Sequence, residues 1–394
     1  MPNKTQAQPQ FGIWVEAEGP DSHRPFNNRE EFNKLISFTG KYPFTDLYCQ
    51  IFRRGLSWFP SVLADDTPFR TAKQSGVDPL RELILISHAR GQKVHAWLNV
   101  LRVNDNPDAP IFKAAGEKVA LSDNYGNSLL TYSPDGIPPH PAGKYFSLET
   151  PGVWLDPSSI ALREYMKAVV REVLTQYPDI DGIHLDMIRF PFAMKIASGA
   201  PRLLEFGFGD ETLLRFKDAM QNEPTFFHAF SSKNHSPAGK EWVKWRKDQV
   251  TEIVEVLRKE VEKIDKSKEF SAAVIASHSR AHDHAFQDWS RWMKEGLIDS
   301  TLLMNYTTKN DTFTERTNKA LEVKKSTKLQ AGIGAWMMLD NPEQAVAQAN
   351  IAMEKGADGV VLFSYANLQN KRGSDLVQKL ASDFFIRFKQ EPKN

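Results

Sequence analysis

The 394-residue chain is 41% hydrophobic and 25% charged, with 50 Lys and Arg against 49 Asp and Glu. That is a globular composition long enough to bury a large core. A net charge of +1 offers no electrostatic footprint for nucleic acid or an anionic membrane surface. Cys49 is the only cysteine, which excludes an intrachain disulfide and a cysteine-based metal centre. It sits in the apolar run DLYCQIF and reads as a small core residue. No segment is long and apolar enough to span a membrane. Nine Trp and 25 Phe supply flat apolar faces suited to sugar rings as well as to core filling.

The opening MPNKTQAQPQ is polar and unlike a signal peptide, so residues 1–10 read as a flexible leader or as a terminus left after export processing. Strand-like and helix-like patterns then alternate. Eight short runs rich in β-branched and aromatic residues predict strands over 11–17, 46–52, 93–101, 181–188, 270–277, 300–306, 329–336 and 359–366. Helices with readable ends lie between them. Asp78 and Pro79 open one that stops at Gly91, Asp156 and Pro157 open a second, and Asn341 and Pro342 open one that stops at Gly356. Residues 240–264, 286–296 and 374–388 supply three more. Eight strands alternating with helices predict an α/β (β/α)8 barrel, one domain over residues 11–390. Long connections follow strands 3 and 4 (residues 103–153 and 190–238). Both leave from the strand ends where barrel active sites lie, which makes them candidate cleft walls.

Strand parity assigns the faces, because successive side chains point to opposite sides. In DIDGIHLDMIRFP, Ile183 and Leu185 face the helices, while His184 and Asp186 point inward, with Asp186 at the rim. The same reading turns Trp14 and Glu16 inward, with Glu18 just beyond. It turns Tyr48, Gln50 and Phe52 inward ahead of Arg53 and Arg54, and His95, Trp97 and Asn99 inward ahead of Arg102. Polar residues from separate strands gathering at one end of a barrel favour a site over a purely structural network.

The runs DPLRELILISHARGQKVHAWLNVLRV, WLDPSSIALREYM, DIDGIHLDMIRFP, WVKWRKDQV, LLMNY and VVLFSYANL occur in that order. Together they resemble the glycosyl hydrolase-like 10 family of bacterial (β/α)8 proteins, over about residues 11–370. The resemblance implies glycoside hydrolysis by an exported protein, in the periplasm or cell envelope. The implied substrate is a polysaccharide containing amino sugars, including peptide-free peptidoglycan strands. It makes Asp186 the leading catalytic carboxylate and Arg102 and Tyr306 cleft residues. No cofactor and no metal are expected, since the first strand offers Trp14 and Glu16 rather than a His pair. Chitinase-type barrels end the equivalent strand with a catalytic Glu, but Ile188 stands at that position here, which argues against their mechanism.

Glycoside cleavage needs two carboxyl groups, ~5 Å apart in retaining enzymes and ~6.5–9.5 Å apart in inverting ones. Glu16 has the parity to be the partner of Asp186, with Glu18 in reserve. Strands 1 and 4, read as opposite, suit the wider gap. A competing reading pairs Glu16 with Arg53 or Arg54, since interior charges tend to be paired. His184 sits below Asp186, where it would tune it, and counts with Glu18 and Arg53 among the residues expected to bind substrate. Trp97, Tyr306, Trp336 and Tyr365 are candidates to stack on sugar rings, and Gln50 and Asn99 to hydrogen-bond hydroxyls. Two other classes stay open. One is a glycan-binding barrel without turnover. The other is a metal-dependent hydrolase or deacetylase using His278, His282 and His284. Sugar linkage, anomeric outcome and oligomeric partners are not encoded in these patterns.

Overall fold

The computed structural model of the chain describes residues 9–19, 23–220 and 237–385. Eight strands run parallel: β1 (Gln10–Val15), β2 (Asp46–Arg53), β3 (Lys93–Asn99), β4 (Gly182–Asp186), β5 (Glu269–Ile275), β6 (Ser300–Met304), β7 (Lys328–Gly334) and β8 (Gly359–Phe363). Each pairs with its neighbour in sequence, and β8 pairs with β1, Gln10 opposite Gly359, so the sheet closes on itself. All eight predicted strands are present. Most of them end two or three residues earlier than the apolar runs suggested, because the chain turns outward at the rim. Met187, just past β4, has a φ of 53°, which no strand residue adopts.

One principal helix follows each strand: α1 (Arg29–Lys41), α2 (Pro79–His88), α3 (Ile160–Gln176), α4 (Pro237–Ile264), α5 (Trp289–Glu295), α6 (Asn310–Val323), α7 (Pro342–Lys355) and α8 (Lys371–Leu380). Of these, α1 and α6 were not among the helices read from sequence. Asp78 caps α2 by accepting the Arg81 N–H, and Gly356 closes α7 in the left-handed conformation. The start of α3 corrects the sequence reading. Ser159, not Asp156, caps it by accepting the Leu162 N–H. Asp156 is drawn instead into a turn, where it accepts the Ser158 N–H at 2.9 Å and the Thr212 hydroxyl at 2.5 Å. Residues 386–388 of the last predicted helix lie outside the described residues.

Parity divides the core in two. Phe11, Ile13, Val15, Leu47, Cys49, Ile51, Val94, Ala96, Leu98, Ile183 and Leu185 are buried between strands and helices. Trp14, Tyr48, Trp97, Ala273, Leu302 and Val361 fill the barrel interior. One strand departs from the expected alternation. Between Gln50 and Phe52 the β2–β3 register slips, with Gln50 opposite Trp97 but Phe52 opposite Leu98. This bulge puts Phe52 in the outer core rather than the interior, and presents Arg53 to the barrel mouth.

The connection from β3 to α3 pairs Arg102–Asn104 with Val153–Trp154. Its Phe146–Leu148 strand then pairs with Ala193–Lys195, from the segment after β4. The described parts of the two long connections are thus joined beside the mouth.

Candidate active site

Asp186 ends β4, buried to 6% exposure. Its Oδ1 accepts the Met187 N–H at 2.6 Å. Its Oδ2 accepts the Trp97 indole N–H at 3.2 Å, from β3. The same N–H reaches Asn99 Oδ1 at 3.1 Å, and Gln50 on β2 donates to that oxygen at 3.2 Å. Arg53 donates to Gln50 Oε1 at 3.4 Å and to the Glu18 carbonyl at 2.8 Å. A polar arc therefore runs from Asp186 across β3 and β2 to the end of β1, where Glu16 stands.

Burial raises the Asp186 pKa above the ordinary carboxylate value, against the opposing pull of the Met187 N–H, Arg189, Trp97 and Arg102. Burial also raises Glu16, against Ser364, Arg53 and the Ala366 backbone. One Glu16 oxygen, Oε2, is buried with no hydrogen-bond partner. Tyr306 stands just past β6 with its hydroxyl buried and likewise unpartnered. Its phenol is pushed well above its usual pKa by burial and then by the negative charge of both Asp186 and Glu16. It is a protonated donor facing two acids.

Among the described residues, Glu16 makes no ion pair. Glu18 makes them instead, with Arg54 at 3.3 Å and Arg24 at 3.9 Å. Of the two candidate partners for Asp186, Glu16 is the one without an ion pair, although its carboxyl takes hydrogen bonds from Ser364 and the Ala366 backbone. The strands that carry these acids are three steps apart in a ring of eight, not diametrically opposite as the sequence reading assumed.

Trp336 follows β7 and is 38% exposed, with its ring edge-on to Tyr306 at 4.9 Å. It folds over Gly334, where a Cβ would stand 3.1 Å from the indole. Two residues do not join the cleft. His184 is fully buried, accepting the Trp14 indole N–H at 3.0 Å and bonded to Ser271 at 2.9 Å. Burial holds its pKa well below the usual imidazole value, so it is a neutral packing residue beneath the site. Tyr365, 1% exposed, lies against Phe38 of α1 at 5.2 Å. After β8 ends at Phe363 the chain makes a helical turn, Tyr365–Leu368, which carries the ring into the helix layer.

Two residues given no site role by the sequence reading contribute here. Ser364 lies against Glu16, a signal too weak to read from one serine. Arg189, just past β4, holds its guanidinium over Trp154 at 4.6 Å, between it and Phe192. A guanidinium N–H binds the Phe190 carbonyl. The histidines after β5 have other neighbours. His278 and His282 stack at 5.5 Å, and His282 meets Lys247 and Asp283. Among the described residues no three His, Cys, Asp or Glu side chains are grouped to hold a metal ion.

The family model for Glycosyl hydrolase-like 10 matches residues 11–338. The chain belongs to the glycosyl hydrolase-like 10 family. The match ends before β8, although β8 closes this family member's barrel. The chain is 22% identical to Glycosyl hydrolase DigH of Escherichia coli (strain K12), over 74% of its own length and 64% of that protein's. It is 25% identical to Glycosyl hydrolase YngK of Bacillus subtilis (strain 168), over 69% and 48%. It thus spans less than two thirds of the length of these relatives.

Among solved structures it resembles the catalytic domain of a β-amylase from Paenibacillus polymyxa, with a TM-score of 0.61 and 12% identity over 96% of this chain and 98% of that one. It also resembles a catalytic mutant of Gan42B, a GH42 β-galactosidase from G. stearothermophilus, with a TM-score of 0.61 and 11% identity over 97% and 57%. At such identities the likeness is one of fold.

Proposed function

We propose that this member of the glycosyl hydrolase-like 10 family is a glycoside hydrolase acting at the C-terminal mouth of its barrel, with Asp186 and Glu16 as the carboxyl pair. The observation that carries the reading is the arc from Asp186 through Trp97, Asn99, Gln50 and Arg53 toward Glu16. It fixes one acid on rigid strands and leads toward the other, which keeps one oxygen unpartnered, as the Tyr306 hydroxyl is.

The hydrogen bonds divide the labour. Both Asp186 oxygens accept N–H bonds, the state of an anion, which suits it to act as base or nucleophile at the anomeric carbon. Glu16, raised by burial and with Oε2 unpartnered, holds the proton for the departing oxygen. Tyr306 donates to whichever oxygen gains charge. Trp336 offers its exposed face to a neighbouring sugar. The proposed substrate is a bacterial polysaccharide containing amino sugars, peptide-free peptidoglycan strands first, met in the periplasm or cell envelope. The family membership and the names of the relatives support hydrolysis of this kind.

The test is incubation with a panel of bacterial polysaccharides, including peptide-free peptidoglycan strands, followed by mass spectrometry. Shortened chains with new reducing ends are expected. Binding with every polymer left intact would make this a glycan-binding barrel instead.

A further inference from the structure

We infer that Arg102 reads a carboxylate on the glycan, so that the barrel mouth selects an acidic polysaccharide over its neutral counterpart. The inference rests on the glycan-cleft reading above and adds the charge of the ligand.

The mouth holds more cation than its own acids neutralise. Among the described residues Arg53, Arg102 and Arg189 form no ion pair, whereas Arg54 has both Glu18 and Asp105. Arg189 is immobilised between two rings and by the Phe190 carbonyl. Arg102 is held more loosely. Its guanidinium lies 5.8 Å from the Trp154 ring and donates to the Pro151 carbonyl, while its Nε is buried with no partner. Trp154 thus carries a guanidinium at both Arg102 and Arg189.

A buried guanidinium with an unsatisfied N–H is costly unless an anion completes it. Two anions act on it: Asp186, which the Met187 and Trp97 N–H groups already occupy, and Asp105, which pairs with Arg54 at 2.9 Å. Burial and then repulsion from Arg53 lower the Arg102 pKa to about 10, so its surroundings leave its charge under-compensated. The planar fork of Arg is suited to two parallel bonds with a carboxylate, which neutral sugar hydroxyls cannot reproduce. A carboxylate on the sugar beside the one over Asp186 would meet the accessible side of this part-exposed guanidinium and compensate its charge without displacing Asp186.

The test measures equilibrium binding by calorimetry in an Asp186→Asn background, so that the polymer is not consumed. The two probes are peptide-free peptidoglycan strands, whose muramyl sugars carry carboxylates, and the same strands with those carboxyls reduced to alcohols. The protein should bind the carboxylated strands at least about tenfold more tightly, a gap of about 1.4 kcal/mol. Arg102→Gln should erase that preference while leaving affinity for the reduced strands unchanged, and Arg102→Lys should keep part of it. Should the Gln variant fail to fold, the Lys variant and the comparison of the two probes decide. Equal affinity for both polymers, or a preference that survives in Arg102→Gln, would overturn the inference and leave the glycosidase reading standing. Binding of neither polymer would overturn both.

Discussion

The two ends of the barrel interior treat charge in opposite ways. At the N-terminal end, Asp46 meets His95 at 2.9 Å and the Thr45 hydroxyl at 2.6 Å, and Glu269 meets Lys328 at 3.0 Å. Tyr48 stacks on His95 at 4.6 Å and accepts from Gln330 at 2.6 Å. At the C-terminal end, Asp186, Glu16, Arg53, Arg102 and Arg189 have no ion-pair partner among the described residues, and the Tyr306 hydroxyl is free. The lesson is that polarity inside a barrel does not by itself mark a site. Both ends are polar and both keep buried atoms unpartnered, Glu269 Oε1 and His95 Nδ1 among them at the N-terminal end, but there the carboxylates have ion pairs.

Substitutions should separate the ends by which property they move. Glu16→Gln should lower kcat by roughly 10²–10⁴, the usual contribution of a positioned acid. Its pH profile carries the sign. The folded pKa of Glu16 is raised, so the wild-type rate should fall as pH climbs through that raised value, and the variant should lack that alkaline limb. Because burial disfavours the charged form, removing it should leave stability at neutral pH unchanged or higher. An unaltered profile would shift the acid role elsewhere.

His95→Ala should do the reverse. Stripping a buried carboxylate of its partner costs about 3–5 kcal/mol, visible as a lower urea midpoint, while any glycan turnover per folded molecule persists. The pH dependence again follows from the shift. Burial alone would raise Asp46, but His95, Thr45 and Lys93 outweigh it and hold the carboxyl below its ordinary value of 3.8. That stability is present above the unfolded value and lost as pH falls through the lower folded one. The variant should therefore lose less on acidification than the wild type. Trp336→Ala should give the smallest effect, a weakening of glycan binding by about 0.5–1.5 kcal/mol, with kcat little changed.

The strands were legible because parallel-barrel strands are apolar on their outer face and bounded by capped helices. The direction of Asp186 followed from parity in one strand. Parity does not encode depth, so His184, two residues earlier, was credited with a cleft role that full burial denies it. Nor does it foresee a bulge, and the slip at Gln50 sent Phe52 outward and brought Arg53 round. Beyond a strand's end it lapses altogether, as Tyr365 shows. Asp-Pro-Ser-Ser before α3 offered several capping side chains within four residues, and Asp156 is taken up instead by the Ser158 N–H and the Thr212 hydroxyl. The residues of the polar arc could be collected from sequence, but not their bonding order, nor that Glu18 rather than Glu16 would take the arginines.

The most direct test sets Asp186→Asn beside the wild-type protein on peptide-free peptidoglycan strands, recording product by mass spectrometry and melting temperature in the same preparations. The structure predicts that product disappears while binding persists and the protein stays folded with at most a modest fall in melting temperature, since the amide oxygen can keep the Met187 N–H and the Trp97 N–H retains Asn99. Undiminished product from the folded variant would contradict it.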